Sequence, residues 1–156
     1  MRLLVWGLIS ILFLSGCRPN NGAPAPDRKE ALQVSDAFMS DLIADHIDAA
    51  AEKLGPQFIA AASGRPQAEE TIRELLKYCG RPLESELRHE ETGVWLYVDG
   101  RSPAPLRMFV YSGKTTQNPK GVCFFAVRVV AGKNHPELIN FGPLKLMSGE
   151  LPEWAR

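Results

Sequence analysis

The chain lacks any excess of charge, with 18 Lys and Arg against 18 Asp and Glu in 156 residues. Global charge therefore makes no case for nucleic acid. Cysteine is scarce, three residues in all, which excludes a disulfide-dense scaffold. No Cys-x-x-Cys or His-x-x-x-His spacing occurs, and His46, His89 and His135 lie far apart, so no metal site is expected. Long hydrophobic runs are missing too. The apolar stretch at residues 3–16, taken as a helix, reaches about 21 Å, short of a hydrocarbon core of about 30 Å. Neither a nucleophile elbow nor a Gly-rich dinucleotide fingerprint is present. Gly113-Lys114-Thr115 lacks the glycine that a phosphate loop needs five residues earlier, where Met108 stands. No cofactor and no catalytic residue is assigned.

What is present begins at the N-terminus. Met1-Arg2 is a minimal positive region, and Leu3 to Phe13 is apolar except for Gly7 and Ser10. Leu14-Ser15-Gly16-Cys17 then resembles a bacterial lipobox, with small residues before the cysteine as signal processing requires. Residues 1–16 read as a lipoprotein signal peptide. Cys17 becomes the palmitate-bearing, lipid-attached N-terminus that ties the chain to a membrane. The residue after it is Arg18, not the Asp that retains lipoproteins at an inner membrane. That places the protein in the bacterial cell envelope, at the outer membrane facing the periplasm if the host has two membranes.

Residues 17–27 form a tether rich in Pro, Asn and Gly. Asp27 and Glu30 make a capping box, and Ala31, Val34, Phe38 and Leu42 form the apolar stripe of a helix to about Ala44. Asp48 can cap a short second helix through Leu54, with one more turn over Phe58 to Ala62. Pro66 opens the third helix, whose stripe is Ala68, Ile72, Leu75, Leu76 and Cys79. Gly80 and Pro82 stop it. The pattern then alternates. Strands are predicted from Leu83 to Arg88, from Val94 to Val98 after a break or bulge at Gly93, from Leu106 to Ser112, and from Val122 to Ala131. The last runs from Leu138 to Met147, where Pro143 argues for an edge or a bulge. Residues 148–156 form a tail. Helices first and strands after make an α+β fold.

This order resembles the nuclear transport factor 2-like superfamily. Ala44 to Ala51 followed by Leu54-Gly55-Pro56-Gln57-Phe58 is similar to the small-residue helix and turn of its exported members. Tyr78-Cys79-Gly80-Arg81-Pro82 is similar to their third-helix ending. The resemblance implies an α+β cone over residues 28–147, three N-terminal helices packed on a curved antiparallel sheet of four to five strands. It also implies a conical pocket, and dimerisation through the outer sheet face in many members. It does not imply a chemistry, because the superfamily ranges from isomerases to interaction modules.

An isomerase-like site would set a carboxylate, Asp99 or Glu86, beside a tyrosine, Tyr97 or Tyr111, between walls such as Trp95 and Phe109. Asp99 reads equally as a turn residue before Gly100. Arg128 either faces solvent on the outer sheet face or anchors an anion in the pocket. Trp95, Tyr97, Asp99, Phe109, Tyr111 and Arg128 are therefore the pocket candidates. With Cys17 acylated, Cys79 and Cys123 remain an even pair in an exported chain and are expected to form a disulfide. Charge is uneven: residues 27–100 carry 15 acids and 8 bases, and 101–156 carry 3 acids and 8 bases. The leading reading is a membrane-tethered, non-catalytic module that binds an envelope protein, a second copy or a small ligand. The alternative is an envelope enzyme doing acid–base chemistry on a carbonyl compound.

Overall fold

The computed structural model describes residues 24–97, 103–144 and 152–155. The expected signal peptide, the expected lipid-attachment residue Cys17 and most of the expected tether lie outside the described residues. Four helices precede four strands: α1 Arg28–Ile43, α2 Ile47–Glu52, α3 Pro56–Ala61, α4 Arg65–Cys79, β1 Glu86–Trp95, β2 Ala104–Gly113, β3 Cys123–Ala131 and β4 Pro136–Pro143. A 3-10 turn, Glu153–Ala155, comes last. No helix among the described residues is long and apolar enough to cross a membrane.

Local sequence accounts for most of the boundaries. Asp27 Oδ1 accepts the Glu30 N–H at 3.1 Å, which satisfies one of the donors left over at the start of α1. The α1 helix ends at Ala44, and Asp45 turns the chain with φ 64°. The cap before α2 is His46, without a side-chain bond. Asp48, the expected cap, sits inside the first turn, where its charge still favours the helix N-terminus. The extra turn after Pro56 is a helix in its own right, so the described residues hold four helices where three were expected. Gly80 ends α4 with φ 80°. A Cβ there would lie 2.8 Å from both Gln117 N and Thr115 Oγ1. Only glycine lets the helix end against that loop without strain.

The sheet is an antiparallel meander in chain order, β1-β2-β3-β4. Gly93 neither breaks nor bulges the first strand, which runs unbroken through it. Gly93 pairs with Leu106, and the irregularity falls between Leu87 and His89. The missing side chain at Gly93 only leaves open space beside the Leu106 side chain, 3.8 Å from where a Cβ would be, so nothing breaks the ladder there. β4 is an edge strand ending at Pro143, where a residue without an N–H is tolerated.

Alternation divides the sheet into two faces. Toward the helices, Phe109, Tyr111, Phe125, Val127, Val129, Leu138 and Phe141 pack with Phe38, Leu42, Ala50 and Ile72 into the main core. Phe141 lies edge-on to Phe38 at 5.1 Å and stacks on Phe125 at 6.0 Å. Burying each such ring contributes roughly 1.5–3 kcal/mol. On the other face Leu106, Val130 and Ile139 form a smaller cluster flanked by Trp95, Ala104 and Met108.

Two contacts from β2 and one from the connection after α4 position α1 and define two ends of the domain. Arg107 Nε donates to Pro26 O at 2.7 Å, just before the helix. Tyr111 reaches Ser35 and Asp36 at mid-helix. The Arg81 guanidinium donates to Ile43 O at the C-terminus. The chain entering α1 at Pro26 therefore lies at the end carrying the close of β1 and the start of β2. Gly80, Thr115 and Cys123 lie at the opposite end.

Candidate binding groove

The six pocket candidates do not converge on one cavity. Phe109 is fully buried in the main core, and Tyr111 is 2% exposed beside it. The Tyr111 hydroxyl donates to Asp36 Oδ1 at 2.7 Å and accepts from Ser35 Oγ at 2.8 Å. Burial, and then the Asp36 carboxylate, push its pKa well above the ordinary phenol value. A hydroxyl so engaged is a structural bolt, not a free donor for an enolate. Trp95 and Arg128 belong to the other face. Arg128 shares a row with Met108 and Asn140, donates to Asn140 Oδ1 at 2.7 Å, and has its pKa lowered by burial. It therefore cannot anchor an anion beside Tyr111. Tyr97 follows β1, and Asp99 lies outside the described residues. Aromatic and aliphatic side chains fill the space where the conical pocket was expected.

Open space lies elsewhere. A groove of about 660 Å³ runs across the start of β1, the end of β2 and the start of β3, with Ala155 on one wall. Its apolar floor includes Phe124 and Val122, the latter 63% exposed. Its rim carries two ion pairs, Lys114–Glu84 at 3.2 Å and Arg88–Glu86 at 3.3 Å. Gly113 is required here, because a Cβ would lie 2.0 Å from Glu84 O. Close approach of two backbones, not phosphate binding, explains the glycine before Lys114. Trp154 flanks the groove, stacked on His89 at 5.1 Å and edge-on to Phe124 at 5.7 Å. Sequence reasoning assigned it to a tail, although a lone tryptophan in a polar segment is a signal for docking.

The two cysteines meet the main core from α4 and β3 as expected, but both are free thiols and no disulfide joins them. Each sulfur is engaged elsewhere. Cys79 Sγ donates back along α4 to Leu75 O at 2.9 Å, and burial raises its pKa. Cys123 Sγ lies 3.9 Å from Thr115 Oγ1 and 3.8 Å from Asn118 Nδ2. Among the described residues no cluster of three or more His, Cys, Asp or Glu could hold a metal. Asp41, Asp45 and Asp48 do not form one, and Asp41 is paired with Lys53.

No protein-family model matches the chain, and no curated protein matches it. Among solved structures it is similar to Aln2 from a Streptomyces species, at 11% identity and a TM-score of 0.47. That match covers 78% of this chain and 94% of the other.

Proposed function

We propose that the chain is a lipid-anchored, non-catalytic binding module of the bacterial cell envelope, built on a nuclear transport factor 2-like domain. Cys17 carries the lipid, residues 17–27 give the domain reach, and the groove beside Trp154 takes a segment of a protein partner or a small amphipathic ligand. One observation carries the choice of a binding module over an enzyme. The space an isomerase would keep for substrate is occupied by Phe109, Phe125 and Phe141, and the Tyr111 hydroxyl is committed to Ser35 and Asp36. The groove instead offers apolar area with charges already paired at its rim, which suits contact with a partner better than proton transfer.

The test expresses the full chain in a bacterial envelope with a photo-crosslinking residue at position 122. Metabolic labelling with an alkyne fatty acid, lost in Cys17→Ser, supports the anchor. A single crosslinked partner recovered in stoichiometric amount, and lost in Phe124→Asp, supports the groove. Turnover of a small carbonyl compound, abolished by Tyr111→Phe in a folded protein, overturns the non-catalytic reading.

A further inference from the structure

At the tether end, β1 runs on past the start of α1. Arg107, which holds Pro26, pairs with Thr92. Val94 lies two residues further along the strand, roughly 7 Å beyond it, and Leu96 follows. Val94 is 42% exposed and Leu96 72%. Val94 is the last residue but one of β1 and Leu96 is the first residue beyond it, so two exposed apolar side chains stand two residues apart at this end of the domain. Charge at the start of α1 is mixed, with Asp27 and Glu30 exposed beside Arg28 and Lys29. Glu90 accepts from Arg28 Nε at 2.8 Å and from Arg107 at 3.1 Å.

We propose that this end, through Val94 and Leu96, rests on the lipid surface to which Cys17 is anchored, and so turns the groove beside Trp154 outward. The proposal rests on the lipid-anchor reading above. Nine residue-to-residue steps lead from Cys17 to Pro26, a reach of at most about 30 Å, and Pro26 is held at this end by Arg107. Two apolar side chains bind a bilayer too weakly to capture a free protein. A link this short supplies an effective concentration on the order of millimolar, so a weak contact becomes populated. Insertion of a few apolar groups to the headgroup boundary is the mode expected of such a surface.

The tryptophans provide the measurement. Once residues 1–16 are removed, Trp95 and Trp154 remain of the three in the chain. Trp154 stacks on His89, six residues before Trp95 and about 20 Å away along the strand. Acylated protein is placed in phosphatidylethanolamine–phosphatidylglycerol vesicles containing brominated acyl chains. The Trp154→Phe form, reporting Trp95, should lose at least half its emission. The Trp95→Phe form, reporting Trp154, should lose less than a tenth. Leu96→Asp, outside the strand ladder, should remove the quenching of Trp95 while the far-ultraviolet circular dichroism stays unchanged. Equal quenching of the two tryptophans, or quenching that survives Leu96→Asp, overturns the proposal. So does a concentration-dependent dimer of the Cys17→Ser mature chain that Leu96→Asp disperses, since that end would then cover a second copy. Mass spectrometry of the N-terminus reads the anchor separately. Unmodified Cys17 overturns the anchor together with the contact, whereas acylated protein without Trp95 quenching overturns the contact alone.

Discussion

Tyr111 of β2 and Asp36 of α1 are joined by a hydrogen bond of 2.7 Å, with Ser35 supplying a second partner to the same hydroxyl. The bond fixes the register of the helix on the sheet from inside the core. Tyr111→Phe leaves Ser35 buried without that partner and should destabilise the domain by about 1–3 kcal/mol, read from urea unfolding. No loss points to a hydroxyl that is free in solution.

The same group sets an alkaline limit. The folded state holds the phenol proton more tightly than the unfolded chain does, because burial and the Asp36 carboxylate raise the folded pKa. Its contribution is therefore complete below the ordinary phenol value of about 10 and falls as pH rises beyond it. Stability of the native protein should drop above about pH 10, and Tyr111→Phe should drop less steeply. Parallel pH profiles for the two proteins would contradict the assignment.

Phe109 separates a filled interior from a pocket. As a fully buried core ring, its replacement by Ala should cost about 3–5 kcal/mol. A pocket wall would accept the change with a small loss, so a destabilisation under about 1 kcal/mol argues for an open cone.

Two glycines make a paired test. Gly113→Ala drives a Cβ to 2.0 Å from Glu84 O, backbone against backbone. It should destabilise by at least about 3 kcal/mol, in the range where single changes become diagnostic. Gly93→Ala meets only the Leu106 side chain at 3.8 Å and should be neutral or mildly stabilising. Chemical denaturation of both variants checks the order, and equal effects would contradict it.

Cys79 and Cys123 should each react with a maleimide in protein denatured without reductant, giving two thiols per chain when Cys17 is acylated. In the native state Cys79 should label slowly and speed up only above the usual thiol range, because burial raises its pKa and the thiolate is the nucleophile. Recovery of no thiols would establish a bridge that the sulfur contacts to Leu75 and Thr115 do not favour.

The sequence by itself determined the order of helices and strands, the α1 cap at Asp27, the end of α4 at Gly80 and the apolar stripes. These depend on neighbours a few residues away, where side-chain period and backbone freedom act directly. It also placed Cys79 and Cys123 at the helix–sheet junction. Only the tertiary structure decided that Phe109 and Tyr111 face the helices while Trp95 and Arg128 face away. Strand pairing and the shift between Leu87 and His89 fix which side each residue takes. Whether the space between helices and sheet is open or filled was equally out of reach, because it depends on Phe38 of α1 meeting Phe141 of β4, two rings about a hundred residues apart in the chain. Packing between distant elements has no local signature, and it is what closes one candidate site here and leaves the groove beside Trp154 open.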